Sequence, residues 1–124
     1  MIVMVEVMDA TTATCVVVRF GGKVSGEEYK VFLDAIDERL EAEGEVNMVA
    51  VLNDFVFYGD LEALKEDTHF GIHEYRKVGR AAYVGDKKWI GLFVKISEPF
   101  YKAEAKHFAA DALDEAISWA CSSG

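Results

Sequence analysis

No apolar run in these 124 residues approaches the roughly 20 needed to cross a bilayer, so a membrane-spanning helix is not expected. Met1–Met8 is apolar, but it has no basic stretch and no small-residue cleavage site before Asp9. A secretory leader is therefore not expected, and a cytoplasmic location is. Cysteine is scarce: Cys15 and Cys121 match no metal or redox spacing. The expectation is two reduced, packed thiols. A glycine-rich loop of the P-loop or dinucleotide kind is missing, and no cofactor is expected. Repeats, linkers and low-complexity stretches are also missing, which leaves one domain over residues 1–124. Positive charge is in deficit, with 13 Lys and Arg against 22 Asp and Glu and a net charge of −9. That balance argues against nucleic acid as a partner.

What is present is a chain that can fold. Hydrophobic residues make up 52% of it, too many for a disordered segment. Met1–Met8 reads as a strand, Asp9–Ala13 as a polar turn and Thr14–Phe20 as a second, β-branched strand. With only about five residues between them, the two strands should pair as an antiparallel hairpin. Gly21-Gly22 is expected to end it. Ser25–Glu43 is the clearest helix. Ser25 and Glu28 form a capping-box pattern, and Tyr29, Phe32, Leu33, Ile36 and Leu40 recur at helical spacing. Gly44 should stop it.

The run Val46–Phe57 then reads as a central strand, with Val49–Leu52 covered on both faces and Asn53-Asp54 where the strand should run out. Asp60–Tyr75 reads as a weaker helix, interrupted at Gly71, which costs about 1 kcal/mol relative to alanine. Arg80–Val84 is a strand and Lys87–Ser97 a helix, with Asp86 placed to cap it and Pro99 to end it. Lys102–Phe108 reads as an edge strand and Asp111–Ala120 as a closing helix. The order is β-β-α-β-α-β-α-β-α, which predicts an α/β fold: a mixed five-stranded sheet with packed helices.

The segment Arg80–Phe100 carries most of the functional signal. Residues 76–106 hold eight basic groups and three acidic ones, a local excess of positive charge on an acidic chain. Such asymmetry is a feature of anion-facing surfaces, although clustering on a solvated face produces it too. Gly85, Lys87 and Lys88 lie at a strand-to-helix junction, where free N–H groups and ammonium groups suit a phosphate or carboxylate; the plain alternative is an ordinary helix start. Trp89, Phe93 and Ile96 recur along the helix, and Phe55, Phe57 and Tyr58 lie past the central strand, near the carboxyl ends where α/β folds bind ligands. Converging, the six would line an apolar pocket; otherwise they are core. His69 and His73 have helical metal-pair spacing but no evident third ligand, and no metal site is expected. His107 reads as a surface residue. Asp54 and Asp60 have no neighbouring nucleophile, so no catalytic group can be assembled and the chain is expected not to be an enzyme.

The motifs Asp54-Phe55, Arg80–Trp89 (RAAYVGDKKW), Pro99–Glu104 (PFYKAE) and the tryptophan of the closing helix, Trp119, together resemble the SpoIIAA-like proteins of the STAS/SEC14 superfamily. VGDKKW is the most specific of them. The resemblance implies a small α/β sandwich, an apolar or lipid-like ligand and weak contact with anionic membrane. A protein-interaction module, with a homodimer among its forms, is the alternative. Anti-sigma-factor antagonists of this fold carry a phosphorylatable Ser or Thr after the central strand. Asn53–Asp60 contains neither, so the charge-adding switch they use is expected to be missing here.

Overall fold

A computed structural model of the chain describes residues 5–58, 78–97 and 104–122, the side chains at 23, 24, 54–58, 89, 92, 93, 96 and 97 excepted. In chain order the elements are β1 (Val5–Val7), β2 (Cys15–Val24), α1 (Gly26–Glu43), β3 (Val46–Tyr58), β4 (Val78–Val84), α2 (Lys88–Ser97), β5 (Glu104–Phe108) and α3 (Leu113–Cys121). The strands lie in the sheet in sequence order. β1 is antiparallel to β2, and every later pair is parallel. This is the mixed five-stranded α/β sheet that the alternation of strands and helices predicts. The expected helix over Asp60–Tyr75 lies outside the described residues.

The topology decides which face each helix covers. Parallel strands added one after another in a single direction, through crossovers of one hand, put the connecting helices on one face. α1 and α2 accordingly pack into one cluster, with Tyr29, Phe32, Ile36, Ile90 and Val94 against Val16, Val18, Phe20, Met48, Ala50 and Tyr83. α3 follows β5 and crosses to no further described strand; it covers the other face, with Ala116 and Ala120 against Cys15, Val17, Val49, Val51, Ala82 and Val84. Strand alternation separates the two sets, and burial on both sides accounts for the unbroken apolar runs in β2 and β3.

Local chemistry sets the ends of α1. Ser25 Oγ accepts from the Glu28 N–H at 3.2 Å, and Glu28 Oε1 accepts from the Ser25 N–H at 3.1 Å, a complete capping box. Gly44 closes the helix at φ 75°, its N–H donating to the Leu40 carbonyl at 2.9 Å.

Four expectations need correcting. β2 does not end at Gly21-Gly22: it continues to Val24 through two register shifts against β3, with Gly22 at φ 56°. The glycines make an irregularity within the strand rather than a stop. β3 likewise runs past Asn53-Asp54 to Tyr58, because β2 is still beside it. Asp86 does not serve α2; its Oδ1 accepts from the Ala110 N–H at 2.9 Å, and the helix begins at Lys88. Finally, Cys15 and Cys121 are not free thiols. They form a disulfide with Cα atoms 5.3 Å apart across a sequence separation of 106. The fold brings the start of β2 and the end of α3 together, a proximity that sequence spacing does not reveal.

Candidate functional site

The parallel strands end unevenly. The last β3–β4 pair is Val51 with Val84, yet β3 continues to Tyr58 paired with β2 alone. Residues 52–58 thus form a ledge beyond the end of β4. Phe55, Phe57 and Tyr58 lie on it, in register with Gly22, Lys23 and Val24; their side chains are outside the description. α2 starts beside the same ledge. A Cβ on Gly85 would lie 2.6 Å from Ile90 Cδ1, 3.3 Å from Asn53 Oδ1 and 3.5 Å from the Leu52 carbonyl carbon. A side chain at residue 85 would force the tip of Ile90 to shift, so glycine lets the chain turn closely from β4 into α2.

Gly85 is held at both backbone groups. Its N–H donates to the Phe108 carbonyl at 3.0 Å, and its carbonyl lies 2.5 Å from His107 Nε2. A carbonyl only accepts, so Nε2 of His107 is the donor in this bond. The opposite edge of the ring lies by α2, where a Cβ on Gly91 would be 3.4 Å from Nδ1. Together with the bond from Ala110 to Asp86, these contacts stitch the 85–86 turn to β5. Lys87 and Lys88 are exposed at the start of α2.

Within α2, Ile90 and Val94 are buried, one helical turn apart, while Lys88 and Lys95 are exposed. Trp89, Phe93 and Ile96 repeat at i, i+4 and i+7, a different stripe of the same helix. His69, His73 and Asp60 lie outside the described residues, and the Asp54 side chain does too. Among the described residues no cluster of three His, Cys, Asp or Glu could hold a metal ion, and no helix is long and apolar enough to cross a membrane.

A second surface escaped sequence reasoning. An open depression of about 510 Å³ between β5 and α3 is lined by Lys106, Phe108, Asp114, Glu115, Ser118 and Trp119. Lys106 Nζ stands 5.2 Å from the Phe108 ring centre and 5.9 Å from that of Trp119, and the Arg80 guanidinium lies 5.5 Å from the Trp119 centre. Arg80 Nη1 also donates to the Trp119 carbonyl at 2.8 Å. The aromatic faces are thus already met by cations of the chain itself. The available signal was Trp119 together with Lys106 and Phe108 on one side of β5, but only the packing of α3 makes them neighbours.

The family profile described as SpoIIAA-like matches residues 15–121. None of the curated proteins matches. Among solved structures, the fold is similar to that of an uncharacterized protein of the DUF3478 family with a SpoIIAA-like fold from Shewanella loihica PV-4. The TM-score is 0.69 at 19% identity, over 86% of this chain and 83% of that one.

Proposed function

The chain belongs to the SpoIIAA-like family, a non-catalytic fold, and on that premise we propose that it is a binding module for a small apolar or lipid-like ligand, with weak association to anionic membrane. The supporting observation is the division of α2. Among the described side chains of α2, Ile90 and Val94 face the sheet, and by sequence Trp89, Phe93 and Ile96 recur on a second apolar stripe. α2 begins at the end of the sheet where the β3 ledge carries Phe55, Phe57 and Tyr58, and Trp89 is in its first turn. Exposed Lys87, Lys88 and Lys95 add the basic groups of an interfacial helix, and Lys87 and Lys88 are the proposed contact for an anionic headgroup; Gly85 drops out of that site, because its N–H already donates to the Phe108 carbonyl. Each basic residue contributes only about 1 kcal/mol near an anionic surface, and the rest of the chain is acidic, so binding is weak and salt-sensitive.

Native mass spectrometry of the purified protein tests for a retained lipid. Vesicle sedimentation tests the membrane contact: wild type should pellet with anionic but not neutral vesicles at low salt. Lys87→Glu with Lys88→Glu should abolish the preference without unfolding the protein, both residues being exposed. No retained lipid and no anionic preference together would sink the proposal. The second reading is a STAS-type interaction module without the phospho-switch, acting through a protein partner or a second copy of itself. Ser and Thr are absent from 53–60, whose first six residues are strand, which is why this reading carries no phospho-switch. A stable homodimer with no bound lipid would support it.

A further inference from the structure

We propose that the Cys15–Cys121 disulfide is a redox latch on α3: a dithiol reductant that opens it releases this helix from the sheet while the α1–α2 face stays folded. Without the disulfide, α3 rests on partly buried packing against the sheet and on one arginine. At nine residues it is too short to persist as an isolated helix. Its N-cap, Ala112, makes no side-chain cap bond, and its last turn has no basic residue to meet the negative end of the helix dipole. It buries Ala116 and Ala120 fully, with one methyl group each, and packs Leu113, Ile117 and Trp119 only in part against the sheet. α1 and α2 are fixed by strands at both ends. α3 enters from β5, and its far end is gripped by the disulfide and by Arg80, which donates to the Trp119 carbonyl and, at 3.4 Å, to Ser122 Oγ. Ser122 is exposed, so the polar part of that grip competes with water.

The exchange chemistry favours opening from the helix end. Cys15 is fully buried and Cys121 is partly exposed. One thiolate of the reductant attacks Cys121 Sγ, the S–S bond breaks, and Cys15 departs as a thiolate and takes up a proton. The second thiol of the reductant attacks the mixed disulfide, releasing Cys121 as a thiol and leaving the reductant as its own disulfide. Two electrons and two protons pass to the protein. An apolar site makes Cys15 a poor leaving thiolate, so exchange proceeds when the last turn of α3 frays. Once the link is open, departure of α3 uncovers Val17, Val49, Val51, Ala82 and Val84.

Hydrogen exchange on the full chain tests this, comparing oxidised protein, protein treated with dithiothreitol without denaturant, and the Cys121→Ser variant. Thiol counting monitors reduction. The expected result is exchange of the 113–121 amides faster by roughly tenfold or more, with 26–43 unchanged. The proposal is overturned if native protein resists the dithiol, if α3 keeps its protection after reduction, or if α1 and α3 accelerate by the same factor, the behaviour of a global staple. Should Cys121→Ser fail to fold, reduction of the intact chain decides alone.

Discussion

On the face shared by α1 and α2, the chain packs an aromatic group: Phe20 and Phe32 have ring centres 5.5 Å apart, as do Tyr29 and Phe32, and Ile36 and Ile90 are fully buried beside them. On the opposite face, α3 brings two alanines to a bed of valines and adds a covalent bond. A fully buried large apolar side chain contributes about 1.5–3 kcal/mol and a methylene-sized group about 0.8 kcal/mol. The first face therefore holds through side-chain volume. The second buries two methyl groups fully and Leu113, Ile117 and Trp119 only in part, and a disulfide, typically worth about 2–4 kcal/mol, is a large share of what holds it. Two layers on one sheet can thus differ in what limits them, one by packing and the other by a bond that depends on redox conditions.

The largest expected effect probes the packed face. Phe32→Ala should cost about 3–5 kcal/mol in denaturant unfolding; a loss below about 1 kcal/mol would mean that the aromatic group is not what holds this layer. Next is removal of the disulfide, expected to destabilise the α3 layer by about 2–4 kcal/mol, read from exchange of the 113–121 amides. Equal exchange of those amides in oxidised and reduced protein would erase the contrast between the faces. Ser25→Ala removes the capping box that α1 has and α3 lacks, and should cost about 1 kcal/mol, measured by the same unfolding curves. The smallest effect is that of Arg80→Lys, which loses the directed bond to the Trp119 carbonyl. In oxidised protein the change should be within about 1 kcal/mol, but in reduced protein the 113–121 amides should lose further protection. An equal response in both redox states would show that Arg80 does not share the tether with the disulfide.

The expectations that the structure bears out rest on signals within a few residues of one another. Ser25, Glu28 and Gly44 mark α1 because capping bonds span three or four residues, and the apolar runs in β2 and β3 announce a sheet covered on both sides. The misplaced strand ends have a non-local cause. Gly21-Gly22 and Asn53-Asp54 look like stops only when each strand is read alone; side by side, β2 and β3 satisfy each other's backbone groups and both continue. Asp86 looks like a helix cap because its partner N–H would lie two or three residues on, whereas the Ala110 N–H it accepts from is supplied by a distant turn.

The sequence by itself determined the order and kind of the described elements, the limits of α1 and the family, since these depend on periodicity, caps and short motifs. Only the tertiary structure decided that Cys15 meets Cys121, that Arg80 grips the end of α3 and that Gly85 is stitched to Phe108 and His107. Each of these joins residues 22 or more positions apart. Their meeting depends on sheet register and on which face α3 takes, and those are properties of the packed layers rather than of any stretch of chain.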